Sequence, residues 1–128
     1  MKNKVLIIQA NYYKDISTAL LKSAKNELKN FAKINIISVP GVFEIPVVIS
    51  KNLKKYDGFV ALGCVIKGQT PHFDFISYAS TNAIMQLAVS SKKPVGNGII
   101  TCLNMSQAKA RLKKGAEASN AVISILNQ

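Results

Sequence analysis

The sequence predicts an α/β fold: a three-layer α/β/α sandwich around a four-stranded parallel sheet in the order 2-1-3-4. Two observations carry that expectation. Short, continuous apolar runs recur along the chain, as in strands covered on both faces, and between them lie longer segments whose apolar residues return every three or four positions, as in helices with one buried side. A strand, a helix and a further strand in one parallel sheet form a right-handed crossover, and repeating that unit builds a doubly wound sandwich. The 128 residues suffice for one core, so 1–128 is read as a single domain.

The first run, Val5-Leu-Ile-Ile8, predicts a strand over 5–8. A helix is expected over 14–32, where Ile16, Leu20, Ala24, Leu28 and Phe31 fall on one stripe. Residues 34–39 are rich in β-branched side chains and stop at Pro40-Gly41, which predicts the second strand. The next helix begins at Glu44 or Pro46, with proline in the first turn where its missing N–H costs nothing, and runs to about Lys55. Asp57-Gly58 then punctuates before a strand over 59–66. A helix over 74–90 follows, with Ile76, Ala79, Ala83, Leu87 and Ala88 on its apolar side. Residues 94–101 predict the fourth strand, shortened or bent by Gly96 and Gly98. Two helices, 104–114 and 116–127, complete the chain with a break near Gly115.

Composition narrows the function classes. Hydrophobic residues make up 48% against 18% charged, which is apolar for a monomer of this size and implies surface buried against other copies. No apolar run reaches the roughly 18 to 20 residues of a membrane span, and the opening Met-Lys-Asn-Lys leads into too few apolar residues for a signal peptide. A cytoplasmic protein without membrane association is expected. The net charge of +11 favours anionic ligands. Lysines 22, 25, 29 and 33 follow helical spacing opposite the apolar stripe, as a solvated face does, and no nucleic-acid-binding motif accompanies them, so no nucleic-acid partner is expected. Cys64 and Cys102 sit alone in apolar segments without metal-ligand spacing, so they are read as small buried hydrophobes and no metal is expected.

Chemistry concentrates where a strand ends in a glycine-bounded loop: Ala61-Leu-Gly-Cys-Val-Ile-Lys-Gly-Gln-Thr-Pro-His-Phe-Asp74. Ligands of open α/β sheets sit beyond the carboxyl ends of parallel strands, which is where Lys67, Gly68, Gln69, Thr70 and His72 fall. The two glycines lack the Lys-Ser/Thr pair of a nucleotide-binding P-loop, and a triphosphatase is excluded. Gly68-Gln69-Thr70 is either an oxyanion-holding loop or an ordinary turn. His72, the only histidine, is either a proton-transfer group or a bland loop residue, and Asp74 could orient it or cap the next helix. Pro40-Gly-Val-Phe-Glu-Ile-Pro46 lies at the same sheet edge, where Glu44 is either a polyol acceptor or a helix cap. Tyr12-Tyr13 supplies an aromatic face there for stacking or for packing. Arg111 is the single arginine among seventeen basic residues, a planar fork suited to phosphate or a chance retention.

These motifs, together with Pro94-Val-Gly-Asn-Gly-Ile-Ile-Thr101, occur in an order and spacing that resembles the 6,7-dimethyl-8-ribityllumazine synthase family, also called the riboflavin synthase beta chain family, over nearly the whole chain. Ala10-Asn-Tyr-Tyr-Lys-Asp-Ile16 resembles the family's first loop and Gln107-Ala-Lys-Ala-Arg111 its final helix entry. The resemblance implies a flavodoxin-like fold and a cofactor-free, metal-free transferase of riboflavin biosynthesis that condenses 5-amino-6-ribitylaminouracil with 3,4-dihydroxy-2-butanone 4-phosphate. It further implies that Tyr12 stacks on the pyrimidine and that Val42, Phe43 and Glu44 bind the uracil substrate, Glu44 through its ribityl hydroxyls. Cys64, Val65 and Ile66 would contact the pyrimidine, Gln69 and Thr70 the phosphate, and His72 would transfer protons. Arg111 would clamp the phosphate, with Lys114 a further candidate. The site would lie between neighbours of a homopentamer, or a multiple of it, with Asn97 and Arg111 from the adjacent chain, and association with riboflavin synthase is an implied possibility.

The chain also departs from the family pattern. Only Leu112-Lys113 stand between Arg111 and Lys114, where relatives carry a longer glycine-rich stretch; position 97 is Asn where relatives are often aromatic; and position 69 is Gln where they are often Glu or Ala. The chain starts almost at its first strand, which favours a pentamer, or a doubled one, over a sixty-subunit shell. The alternative is a non-catalytic flavin-binding, lumazine-binding or shell-forming homologue.

Overall fold

The computed structural model describes residues 2–68 and 71–128. Its sheet consists of β1 (Asn3–Ala10), β2 (Ala32–Val39), β3 (Gly58–Ile66) and β4 (Val95–Cys102), all parallel and ordered β2-β1-β3-β4. Helices α1 (Lys14–Leu28), α2 (Ile45–Asn52), α3 (His72–Ser91), α4 (Met105–Lys109) and α5 (Lys114–Leu126) connect the strands and cover both faces. This is the expected three-layer sandwich, consistent with a flavodoxin-like architecture. The chain reverses direction across the sheet between β1 and β3, which opens a crevice at their carboxyl ends.

Alternation along the strands sorts the core into two layers. Val5, Ile7, Val60, Leu62, Cys64 and Cys102 pack beneath α1 and α5, against Leu20, Ala24, Leu28 and Val122. Leu6, Ile8, Phe59 and Ala61 pack on the opposite face, against Ile45, Ile49 and Ile84. Each fully buried Leu, Ile or Val here stabilises the fold by about 1.5–3 kcal/mol relative to leaving it in water. Because β1 and β3 are apolar toward both layers, the sheet centre is fixed, and polar groups collect where the strands end.

Several boundaries differ from expectation, each for a tertiary reason. Helix α1 stops at Leu28 rather than reaching residue 32, because Ala32 enters the sheet opposite Asn3; Phe31 therefore lies in the connecting turn. Strand β1 extends beyond 5–8 at both ends because its full length pairs with β2. Helix α2 ends at Asn52, with Glu44 placed before it in a single 3-10 turn, Val42–Glu44. Helix α3 begins at His72, two residues early, so the histidine is helical rather than part of the loop.

The glycines of β4 neither bend nor shorten it. A Cβ at Gly96 would stand 2.2 Å from the Ala118 carbonyl oxygen, and one at Gly98 would stand 2.9 Å from that of Ala61, so these residues admit close packing along a full-length strand. Gly115 likewise lies inside α5 rather than breaking it, because a Cβ there would meet the Leu20 carbonyl oxygen at 2.3 Å. The helical break falls instead over 110–113. The Ser23 and Ser119 hydroxyls then tie α1 to the α5 region, Ser23 donating to the Leu112 carbonyl at 3.2 Å and Ser119 to that of Ala24 at 3.0 Å. Lysines 22, 25, 29 and 33 are exposed.

Candidate active site

The carboxyl ends of β1 and β3 border a cavity of about 580 Å³. Three connections build its walls. After β1 the chain presents Tyr12 and Tyr13, with ring centroids 4.9 Å apart and planes at 80°. After β2 the 3-10 turn supplies Val42, Phe43 and Glu44. The end of β3 contributes Cys64, Val65 and Ile66, and the first turns of α3 contribute His72 and Ile76.

The turn at 42–44 sits deep because Gly63 opposite it lacks a side chain: a Cβ there would stand 2.7 Å from Val42 Cγ2 and 3.2 Å from Ala10 Cβ. Val42 is buried while the neighbouring Phe43 ring is 62% exposed. Glu44 occupies the N-cap position of α2, yet its side chain makes no capping hydrogen bond; the carboxylate lies beside Gly41, where a Cβ would be 3.2 Å from Glu44 Oε1. The cap role weighed for Glu44 is therefore not the one the structure adopts. The cap role weighed for Asp74 is not adopted either, since Pro71 holds the N-cap position of α3. His72 projects from the first helical turn at the cavity rim. Aromatic rings, a carboxylate and an imidazole thus surround a mostly apolar pocket, a combination suited to a flat polar ring with a hydroxylated tail.

Burial shapes the electrostatics of the floor. The Cys64 thiol is pushed up to about 12, first by desolvation and then by the charge and hydrogen bonding of the neighbouring Cys102. Desolvation, followed by Tyr12, Cys64 and Cys102, also raises the Tyr13 phenol. Cys64 is therefore a protonated thiol at neutral pH, suited to packing rather than to nucleophilic chemistry.

Three expected site residues stand elsewhere. Asn97 is exposed on β4, its Oδ1 accepting from the Ile99 N–H at 3.0 Å. Arg111 is exposed after α4, with Nη1 donating to the Thr101 carbonyl oxygen at 3.2 Å. Lys114 opens α5, its N–H donating to the Arg111 carbonyl at 3.0 Å. None of the three is among the described residues that line the cavity. Gln69 and Thr70 lie outside the described residues. Conversely, Ile76 lines the cavity although its residue type did not mark it as a site residue, and Tyr13 joins Tyr12 there as the second ring of the aromatic face. Ile76 was legible in principle, since it follows His72 by four positions and so shares its helical face.

The family model described as 6,7-dimethyl-8-ribityllumazine synthase matches residues 2–128. The chain belongs to the 6,7-dimethyl-8-ribityllumazine synthase family. It is similar to the protein of that name from Agrobacterium fabrum, with 44% identity over 98% of this chain and 93% of the relative. The Bartonella tribocorum protein of that name is 43% identical over 98% of this chain and 89% of its own length. For the Afipia carboxidovorans protein the figures are 43%, 96% and 83%. Among the described residues there is no group of three or more His, Cys, Asp or Glu side chains placed to hold a metal ion, and no helix is long and apolar enough to cross a membrane.

Proposed function

We propose that this protein condenses 5-amino-6-ribitylaminouracil with 3,4-dihydroxy-2-butanone 4-phosphate to form 6,7-dimethyl-8-ribityllumazine, at a site completed by a neighbouring copy of the chain. The observation that carries the reading is the convergence of Tyr12, Glu44 and His72 on one cavity beyond the strand ends, with the forked cation Arg111 outside it. In the proposed site Tyr12 stacks on the pyrimidine and Glu44 accepts hydrogen bonds from the ribityl hydroxyls. Val42 and Phe43 hold that substrate from one wall and Cys64, Val65 and Ile66 from the other. Gln69 and Thr70 bind the phosphate of the four-carbon substrate together with Arg111 from the adjacent subunit, with Lys114 a further candidate for the same anion, and Asn97 from the adjacent subunit completes the substrate site.

The chemistry follows from that placement. The 5-amino group attacks the ketone, and loss of water gives an imine, with His72 moving the protons. Loss of a proton from the adjacent carbon then expels phosphate, whose charge Arg111 balances, and the resulting enol tautomerises to a ketone; the ribitylamino nitrogen attacks that carbonyl and a second water leaves as the ring closes. Much of the acceleration is positional, because two substrates held in register react as one molecule. Donors placed around the departing phosphate supply the rest. The net charge of +11 attracts the phosphorylated substrate.

A homopentamer, alone or multiplied, is part of the same proposal, as is association with riboflavin synthase. Support for self-association comes from the groove between α2 and α3. There Val47, Met85 and Val89 are 57%, 62% and 70% exposed, an apolar cluster of the kind that marks a protein–protein contact.

The test is the initial rate of lumazine formation from the two purified substrates, corrected for the enzyme-free condensation of amine with ketone. Wild type should exceed the control, and Arg111→Ala should lose most of that excess, chiefly through the phosphate substrate. Equal losses for both substrates would refute the assignment of Arg111, and a wild-type rate equal to the control would leave a binding or shell-forming homologue.

A further inference from the structure

We propose that Gln107 is a positioning residue for Arg111: with Asn104 it locks the junction between β4 and α4, and so fixes where the guanidinium stands beyond the end of the strand. Gln107 acts here through Arg111, so the inference rests on the reading of Arg111 as the phosphate-binding cation and names the side chain that orients it. The two residues cap α4 reciprocally. Asn104 Oδ1 accepts from the Gln107 N–H at 2.9 Å, and Gln107 Oε1 reaches back to accept from the Leu103 N–H at 2.7 Å. This is a capping box whose return bond falls one residue earlier than usual, on the stretch that leaves β4. Helix α4 has only five residues, far below the roughly 12–15 at which an isolated helix becomes even marginally stable, so its shape and direction depend on such ties.

Arg111 depends on that junction at both of its ends. Its N–H donates to the Ala108 carbonyl at 3.1 Å, and Ala108 is buried in the layer beneath α1 and α5. Its Nη1 donates to the Thr101 carbonyl oxygen at 3.2 Å, on β4 just before the turn that Gln107 closes. That bond engages one guanidinium N–H and sets the plane of the fork, leaving the others to meet an anion. The backbone of Arg111 thus rides on α4 while its side chain is tethered to β4, and the bond between Leu103 and Gln107 spans the two elements. The Cys102 thiol adds only a weak bond across the same turn, to the Asn104 carbonyl at 3.4 Å. Without the Gln107 acceptor the Leu103 N–H turns to water and α4 loosens against β4. The guanidinium then spends less time where a phosphate can be held, whereas the cavity walls on β3 and the 42–44 turn stay in place.

The experiment uses the assembled full-length protein and varies each substrate with the other saturating, for wild type, Gln107→Ala, Gln107→Glu and Arg111→Ala. Gln107→Ala should raise KM for the phosphate substrate by about three- to tenfold, the worth of one ordinary hydrogen bond, and leave KM for the uracil substrate unchanged. Gln107→Glu keeps the acceptor and should restore the wild-type value. Calorimetric titration with inorganic phosphate extends the series to the double variant: once Arg111 is alanine, Gln107→Ala should weaken phosphate binding no further, because the two residues act as one unit. A Gln107→Ala enzyme that keeps its KM for the phosphate substrate, while Arg111→Ala raises it, would overturn the proposal and leave the synthase assignment standing. Equal rises for both substrates, a Gln107→Glu variant as impaired as Gln107→Ala, or additive losses in the double variant would also overturn it, since each is what a merely stabilising cap produces. Arg111→Ala with an unchanged KM for the phosphate substrate would refute the role of Arg111 itself, and that of Gln107 with it.

Discussion

Gly63→Ala is a backbone-neutral change by propensity, yet the structure predicts that it disables the site as well as loosening the fold. The added Cβ would sit 2.7 Å from Val42 Cγ2, where ordinary contact begins at 3.4 Å, and 3.2 Å from Ala10 Cβ. Val42 cannot turn aside readily, because a β-branched side chain has few χ1 options and this one is buried. The 42–44 turn must therefore move outward by about 0.7 Å, the gap between 2.7 and 3.4 Å. Overpacking of this kind costs about 1–3 kcal/mol. Because the same turn carries Phe43 and Glu44, a displacement approaching 1 Å should also lower kcat/KM for the ribityl substrate by about 10 to 100-fold. The assay pairs thermal denaturation with steady-state kinetics, varying one substrate while the other is saturating. A variant less stable than wild type but unchanged in its KM for the uracil substrate would refute the claim that Gly63 sets the position of the 42–44 turn.

Other expectations follow from individual contacts. Glu44→Gln keeps the shape of the side chain and removes its charge, so KM for the ribityl substrate should rise by about 10-fold, the worth of one charge-assisted hydrogen bond, with little change for the phosphate substrate; equal changes in both would contradict the role given to Glu44. Ser119→Ala removes a buried donor to the Ala24 carbonyl and should cost about 1–3 kcal/mol in denaturant unfolding without altering KM for either substrate. Cys64 holds its proton to about 12 when folded against 9.0 in the reference state, so the unfolded chain binds fewer protons between those values. Its stabilising contribution is complete below pH 9 and is lost as pH rises toward 12. Chemical denaturation across that range should show a steeper alkaline decline in wild type than in Cys64→Ala, and parallel declines would contradict the burial assigned to the thiol.

The parallel sheet and its order were legible in the sequence because β1 and β3 are apolar toward both layers and helical periods separate the strands. The motifs around Glu44 and His72 were legible as one site because both follow strands that end at the same sheet edge. What sequence could not supply was the competition between elements. Residues 29–32 continue a helical stripe, yet Ala32 is drawn into the sheet by its pairing with Asn3, and the helix yields. Gly115 looks like a helix breaker until the Leu20 carbonyl is seen pressed against it, 2.3 Å from where a Cβ would stand. Periodicity likewise assigned Ile76 to the packed side of α3 alone, although one turn of helix brings it beside His72 at the cavity. Arg111 shows a different limit. Its identity suggested phosphate, but its hydrogen bond to Thr101 keeps it at the end of β4, away from the cavity of its own chain.

That separation makes subunit complementation the most direct test of a site shared between copies. His72→Ala and Arg111→Ala chains, each inactive alone, would be unfolded together, reassembled as mixed oligomers and assayed for lumazine formation. With random mixing in equal amounts, about one quarter of head-to-tail interfaces pair an intact His72 with an intact Arg111. Recovery of about one quarter of the wild-type rate is expected for a site shared between copies. Mixed assemblies no more active than either variant alone would contradict it.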